Sequence, residues 1–283
     1  MPAPSARTSP SLTIGPRSFV WGERTYLMGV INVSPESFSG DGLADTGAAV
    51  AQARRFVDEG ADLLDVGGQS TRPDFDELSP EDEARRVVPV IERIVTELNV
   101  PVSVDTYKVA VARPALAAGA HLLNDTWGFR QQPALADLCV EFGVPAVVMH
   151  NQRGREHHDV IDDIRAGIEA SVAIAERAGL PRERLIVDPG FGFGWSEEQN
   201  LELLWRLGEL RDLGLPILIG TSRKSTIGAV LDGAPVERRL AGTAATVAIA
   251  VANGADIVRV HDVAEMRDVA RVADAVVRGW TKR

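Results

Sequence analysis

Residues 216–230 read Pro216-Ile217-Leu218-Ile219-Gly220-Thr221-Ser222-Arg223-Lys224-Ser225-Thr226-Ile227-Gly228-Ala229-Val230. The stretch begins as a short apolar run of strand type and ends as a helix of small and apolar residues. Two hydroxyls and two cations are packed into the turn between them. A strand that stops on such a cluster and feeds a helix is a βα unit with chemistry at the strand's C-terminal end. Taken alone, Arg223 and Lys224 read equally well as solvated surface charges. What decides is that the rest of the chain repeats the pattern.

Strand-like and helix-like segments alternate eight times, with strands expected at 26–32, 63–67, 101–106, 122–125, 146–150, 185–189, 216–221 and 257–262. The intervening helices carry apolar residues three and four apart. Many are closed by glycine, at Gly60, Gly119, Gly143, Gly179, Gly214 and Gly254. Ser79-Pro80-Glu81-Asp82-Glu83 is a clear helix start: an N-cap serine, proline at N1, then carboxylates against the helix dipole. Strict alternation implies a parallel sheet, and eight repeats favour closure into a single (β/α)8 TIM barrel of the α/β class. No Gly-x-Gly-x-x-Gly turn follows the first strand, which weighs against a dinucleotide-binding open sheet. Residues 11–25, alternating weakly around Gly15-Pro16 and Gly22, form a short N-terminal β-hairpin in this reading. The whole of 11–283 is one domain, with no linker, and 1–10 is a Ser/Pro/Ala-rich flexible tail.

Composition bounds the function. The 283 residues are 45% hydrophobic, enough for a sizeable core. Forty acidic against thirty basic residues give a net charge of −10, which argues against nucleic acid or an anionic membrane as partner while leaving room for a local basic pocket. The single cysteine, Cys139, lies in an apolar helical context and reads as a buried thiol in a reducing cytoplasm. The tail lacks the apolar region of a signal peptide, and no apolar run is long enough to span a membrane.

Nearly every expected strand ends on polar residues: Asn32, Asp65, Asp105 with Thr106, Asn124 with Asp125, His150, Asp188, Thr221 with Ser222, and Arg259 with His261. Any one of them could merely cap the following helix; eight together point to the mouth of a barrel. On the last strand Ile257, Arg259 and His261 share one face and Val258 and Val260 the other, so Arg259 and His261 should point into that mouth. With Arg223 and Lys224 they predict a phosphate or pyrophosphate site near the seventh and eighth strands. Asp105, Asn124 and Asp188 suit a heterocycle that displays adjacent N–H donors and a carbonyl. Asn32 offers an amide oxygen suited to Mg²⁺ already held by phosphate oxygens and water. Two Gly/Pro-rich stretches, 32–42 and 67–74, follow the first two strands and read as lids over the mouth. His157-His158 is a tempting metal pair but reads as a solvated loop without further ligands.

These motifs resemble one family, the dihydropteroate synthases of folate biosynthesis. The resemblance rests on Met28-Gly29-Val30-Ile31-Asn32-Val33 with Pro35 and Ser37-Phe38-Ser39; Gly67-Gly68 with Ser70-Thr71-Arg72-Pro73; Ser103-Val104-Asp105-Thr106; Asn124-Asp125; Met149-His150; Asp188-Pro189-Gly190-Phe191-Gly192-Phe193-Gly194; Gly220 to Ser225; and Arg259-Val260-His261-Asp262. It implies a transferase that joins 6-hydroxymethyl-7,8-dihydropterin diphosphate to p-aminobenzoate, releasing pyrophosphate in a Mg²⁺-dependent way, and that is a homodimer and a sulfonamide target. By position it implies that Asp105, Asn124, Asp188 and Lys224 hold the pterin. Asn32, Arg259 and His261 bind the diphosphate, with Asn32 helping to hold Mg²⁺. Thr71, Arg72, Pro73, Phe38, Phe193 and Ser222 shape the p-aminobenzoate side. Lys224, Asp105, Arg259 and Arg72 are the residues it marks as catalytic.

Some positions depart from the family pattern. Gln69 stands where Glu is commoner, Asp74 where Gly is, Glu36 where Asp is, Gly40-Asp41-Gly42 replaces Asp-Gly-Gly, and Trp195 replaces Lys. The competing readings are the pterin-binding module of folate-dependent methyltransferases, which has no use for a diphosphate site, and a non-catalytic binding paralogue, which would have lost anion-site residues.

Overall fold

The structure, a computed structural model, describes residues 11–33, 45–69 and 77–280. The tail 1–10 lies outside the described residues.

An antiparallel hairpin comes first, β1 (Ser11–Ile14) paired with β2 (Arg17–Val20). Its turn needs glycine: Gly15 has φ +53°, and a Cβ there would lie 2.5 Å from the His121 ring. Eight parallel strands follow: β3 (Tyr26–Asn32), β4 (Leu63–Gly67), β5 (Val102–Asp105), β6 (Leu122–Asp125), β7 (Ala146–Met149), β8 (Leu185–Asp188), β9 (Leu218–Ile219) and β10 (Ile257–Val260). Between and after them run α1 (Thr46–Glu59), α2 (Pro80–Glu97), α3 (Val109–Ala117), α4 (Ala134–Phe142), α5 (Val160–Ala178), α6 (Glu197–Arg206), α7 (Ser225–Val230), α8 (Leu240–Ala252) and α9 (Val263–Arg278).

The ladder runs β8-β7-β6-β5-β4-β3-β10-β9. The circle closes between β8 and β9 through one bridge, Val187 to Ile217, and the bond from Val187 N–H to the Pro216 carbonyl at 2.9 Å. The result is a nearly closed (β/α)8 barrel. The seventh barrel strand is shorter than expected, two residues against the 216–221 reading. Pro216 has no N–H to give, and the Ile217 N–H goes to the Asp256 carboxylate at 2.9 Å instead of to a ladder.

Local signals were obeyed. The Ser79 hydroxyl accepts the Asp82 N–H at 3.1 Å, with Pro80 as first helical residue of α2. Gly60, Gly143 and Gly179 end α1, α4 and α5 in the left-handed conformation.

Alternation along the strands sorts two cores. Outward residues such as Leu64, Val66, Val102, Val104, Val148, Val187, Ile219, Val258 and Val260 pack against the helices. Inward residues Met28, Leu63, Leu122, Val147, Ile186, Leu218 and Ile257 meet Leu12, Ile14, Phe19 and Trp21 of the hairpin in a separate cluster. The hairpin therefore plugs the N-terminal end of the barrel. Phe19 lies edge-on to Tyr26 at 4.8 Å, and the Tyr26 hydroxyl accepts the Val20 N–H at 2.8 Å. With that end stopped, the open end is the C-terminal one. No described helix is long and apolar enough to cross a membrane.

Candidate active site

Two residues beyond the apolar inward layer, the same faces turn polar. Leu63 is followed by Asp65, Leu122 by Asn124, Ile186 by Asp188 and Ile257 by Arg259, and on β5 the buried, polar Ser103 is followed by Asp105. Period-two alternation thus places these side chains together at the C-terminal mouth. Arg259 is their hub. Its Nε donates to Asp65 Oδ2 at 2.7 Å and its Nη2 to Asp105 Oδ2 at 2.8 Å. Asn124 Nδ2 donates to the same Asp65 oxygen at 3.0 Å. Asp65 was visible as a polar strand end but carried no assigned role. Its partner lies 194 residues away in sequence, so only closure of the barrel brings the two together.

One guanidinium against two carboxylates leaves an excess negative charge in a buried place. Burial and then the Asp65 charge push the Asp105 carboxyl up from the ordinary range, with Arg259 opposing. Burial disfavours the Arg259 charge, but the carboxylates of Asp65 and Asp105 more than offset this, so the guanidinium is held above its usual value. Asp188 accepts the Gly190 N–H at 2.8 Å, and burial raises its carboxyl against the pull of Lys224. Burial brings Lys224 down to about 8, although Asp188 opposes the shift.

Lys224 donates to the Phe191 carbonyl and sits 4.7 Å from the Phe193 ring centroid, as a cation beside a π face. Arg153 lies 4.9 Å from the same ring. Ser222 Oγ and His261 Nδ1 are 2.9 Å apart, and Ser222 Oγ also accepts the His261 backbone N–H at 3.3 Å. Asn32 ends β3 on the face of Tyr26 and Met28, hence at the mouth.

The four cations expected at one anion site are divided. Arg223 adopts φ +59° and turns its guanidinium onto Asp262, with bonds of 3.0 and 2.5 Å, which makes it a brace between the ends of β9 and β10. Lys224 belongs to the Asp188–Phe193 side. Arg259 and His261 remain as the cationic candidates of the last strand. Several other polar strand ends have structural tasks: Asp125 accepts the Trp127 and Phe129 N–H groups at 2.8 and 2.6 Å, and Thr106 donates to Glu83 at 2.7 Å. His157 and His158 both turn their Nδ1 to Asp163, at 3.1 and 3.3 Å, and among the described residues no group of three His, Cys, Asp or Glu side chains could hold a metal. Trp195 is buried and stacks on His150 at 5.6 Å between ring centroids. Phe38, Thr71, Arg72 and Pro73 lie outside the described residues.

Comparison with known proteins agrees with this geometry. The family described as "Pterin binding enzyme" matches residues 28–261. The dihydropteroate synthase of Clostridium beijerinckii is 45% identical over 269 residues, 94% of this chain and all of that one. The Xanthomonas albilineans dihydropteroate synthase solved with 4-aminobenzoic acid superposes with a TM-score of 0.88 at 42% identity, covering 95% of this chain and 98% of the other. The Yersinia pestis dihydropteroate synthase in a sulfonamide drug complex gives 0.89 at 36% identity, covering 95% of this chain and all of that one. A pterin-type mouth on a barrel matched along nearly its whole length leads to one assignment: the chain belongs to the dihydropteroate synthase family of pterin binding enzymes.

Proposed function

We propose the following division of the mouth for the reaction of this family, which this chain performs: condensation of 6-hydroxymethyl-7,8-dihydropterin diphosphate with p-aminobenzoate to 7,8-dihydropteroate and pyrophosphate. The observation that carries it is the convergence of Asp105, Asn124, Asp188 and Lys224 with Arg259 at one end of the barrel. Asp188 accepts the N–H donors of the pterin edge, Asn124 and Asp105 supply further polar contacts, and Lys224 donates to the ring's acceptors. Arg259 and His261 face the diphosphate. Phe193 and Ser222, with Phe38, Thr71, Arg72 and Pro73, form the p-aminobenzoate side. The bond between Ser222 and His261 makes the two subsites neighbours.

In the reaction the methylene C–O bond breaks and its electron pair leaves on pyrophosphate. The aniline lone pair forms the new C–N bond, and the amine proton passes to solvent. Arg259 and His261 stabilise the charge that accumulates on the leaving group, while the pterin held by Asp188 shares the positive charge left on carbon. The nucleophile comes from the substrate, so the protein's task is to bind, orient and neutralise. Mg²⁺ fits as a companion of the diphosphate. Asn32 supplies one hard amide oxygen, and no protein cage is needed beside phosphate oxygens and water. When bound, it adds positive charge at the leaving group. Incubation with both substrates and Mg²⁺ tests the reading: dihydropteroate and pyrophosphate form in equal amounts, and a sulfonamide raises the apparent KM for p-aminobenzoate without lowering the maximal rate. Pterin binding with no pyrophosphate release would favour the methyltransferase-like reading.

A homodimer and a cytoplasmic setting belong to the same proposal. The single cysteine, Cys139, is fully buried and its thiol is raised by burial to about 12, as suits a reducing compartment. A groove of about 560 Å³ between α8 and α9 is lined by Ala244, Ala248, Val269, Val272, Ala273 and Val276. Val272 and Val276 are 66% and 79% exposed, so this apolar face suits a second copy of the chain. Val276→Asp is expected to halve the mass measured by light scattering; an unchanged mass would move the interface elsewhere.

A further inference from the structure

The glycine-rich turn after β8 brings the Phe191 carbonyl and the Phe193 ring to Lys224, and a buried side chain that the reaction scheme leaves unused holds that turn in place. Asn200 is 2% exposed and follows directly on the capping box that opens α6. In that box the Ser196 hydroxyl accepts the Gln199 N–H at 3.2 Å, and Gln199 Oε1 accepts the Ser196 N–H at 2.8 Å. The first turn of the helix is therefore fixed, and it aims Asn200 back at residues 190–194. Asn200 Oδ1 accepts the Gly192 N–H at 2.6 Å. Its Nδ2 donates to the Ser196 carbonyl at 2.9 Å and to Thr226 Oγ1 at 3.1 Å, with the Trp195 carbonyl at 3.4 Å. A backbone N–H only donates and a carbonyl only accepts, so these partners fix which way the amide points.

These bonds join two walls of one slot. Thr226 is buried in the first turn of α7, two residues after Lys224. The Lys224 side chain runs from the start of α7 to the turn, where its ammonium donates to the Phe191 carbonyl. The fit is close: Gly192 has φ +80°, and a Cβ there would lie 2.9 Å from Lys224 Cδ. A second tie comes from the loop after β7, where the Gln152 N–H donates to the Phe193 carbonyl at 3.0 Å. That tie anchors the turn to the barrel. Asn200 is the side chain that bonds the turn and α7 together.

We propose that Asn200 is a positioning residue: by bonding Gly192 and Thr226 at once it sets the gap between the turn and the start of α7, and so holds the Lys224 ammonium on the Phe191 carbonyl, in place for the pterin. This rests on the reading that Lys224 contacts the pterin. Asn200 acts through Lys224 and touches no substrate. Without its two bonds the turn draws back, water reaches the ammonium, and the pterin meets a cation that is no longer placed in advance. Relief from burial also moves the Lys224 titration from about 8 toward the ordinary 10.5. The charges around that ammonium are Asp188 on β8, Arg259 on β10, Arg153 after β7 and Asp105 on β5. A substitution at Asn200 removes none of them, so a moved titration reports solvent and position alone.

The chain has three lysines, Lys108, Lys224 and Lys282, so carbon-13 NMR of protein labelled at lysine Cε gives three signals, and Lys224→Arg identifies the one from Lys224. In ligand-free Asn200→Ala the Lys224 titration should rise by about one pH unit or more. The KM for the pterin diphosphate should rise about tenfold, the size expected when a hydrogen bond to a charged group is lost. Thr226→Val removes one acceptor and leaves Asn200 bonded to Gly192 and Ser196, so it should move both readouts the same way by less. Thr226→Ser keeps the oxygen and should match the parent in both. A folded Asn200→Ala in which Lys224 titrates as in the parent overturns the proposal, even with activity reduced, because the damage would then be structural. If Asn200→Ala does not fold, Thr226→Val decides, and a Lys224 titration there equal to that of Thr226→Ser overturns the proposal. The titration needs no substrate. If it moves while the KM for the pterin diphosphate stays, the positioning of Lys224 by Asn200 is upheld, and the assignment of Lys224 to the pterin is what fails.

Discussion

The two ends of the barrel are built from the same strands and treat charge in opposite ways. At the N-terminal end Asp62 is fully paired: Arg24 donates Nη1 to Oδ2 at 2.8 Å and Nη2 to Oδ1 at 2.6 Å, Arg17 lies 3.9 Å from the same carboxylate, and Asp62 also accepts the Leu27 N–H at 2.9 Å. Every oxygen there has a fixed donor, and the space between the strands is filled by Phe19, Trp21 and their apolar neighbours. At the C-terminal end Arg259 serves two carboxylates, and Asp65 Oδ1 is buried without a hydrogen-bond partner. Only two residues along each strand, about 6.6 Å, separate these layers. An end whose carboxylate is fully paired and whose space is filled contributes stability, while an end with excess charge over an apolar floor is arranged for a ligand that brings donors and an anion. The raised carboxyls of Asp105 and Asp188 follow from that stacking, because the apolar layer excludes the water that would otherwise solvate them.

The comparison breaks if the ends trade roles. The largest effect is expected at the plug. Phe19→Ala empties a fully packed site and should cost roughly 3–5 kcal/mol of stability, read by chemical denaturation. At temperatures below the lowered midpoint its kcat/KM should stay within about twofold of the parent, since the plug touches no part of the mouth. An activity loss without a stability loss would make the plug part of the site.

A smaller effect sharpens the contrast at the mouth. Lys224 titrates near 8 instead of its ordinary 10.5 because it is buried. Its ammonium is present below that pH and lost above it, so kcat/KM for the pterin diphosphate should fall as pH rises through about 8. The sign for stability is opposite. Between about 8 and 10.5 the unfolded chain holds the proton that the folded chain has released, so Lys224 contributes stability that grows with pH across that window. Lys224→Arg keeps its charge and should carry the alkaline limb to higher pH. A limb that stays near 8 in that variant would assign the titration to another group.

Much of this was legible in the residues. Alternation placed Arg259 opposite Val258 and Val260 and so pointed it inward, and Ser79-Pro80 and Gly60 marked helix ends that the structure keeps. What stayed hidden is what depends on closure. The meeting of Arg259 with Asp65 and the brace from Arg223 to Asp262 join residues whose separation in sequence says nothing of their distance. The division of the four cations was hidden for the same reason, since a turn residue's direction depends on a backbone torsion such as the positive φ of Arg223. Lys108, which donates to Gln69 and to the Leu78 carbonyl and pairs with Glu83, could be seen as buried only with three segments in register.

Calorimetry on two single variants with two ligands bears most directly on the claim that the mouth has a pterin half and an anion half. The ligands are a dihydropterin without phosphate and its diphosphate. Asp188→Asn should weaken both by about the same amount, on the order of 1.5–3 kcal/mol, because a charged acceptor to the ring's donors is lost. Arg259→Ala should weaken the unphosphorylated pterin only as far as the unpairing of Asp105 disturbs the floor, while binding of the diphosphate, which loses its cationic partner as well, collapses by a much larger factor. Equal losses for both ligands in Arg259→Ala would contradict the account, by placing the diphosphate away from the last strand of the barrel.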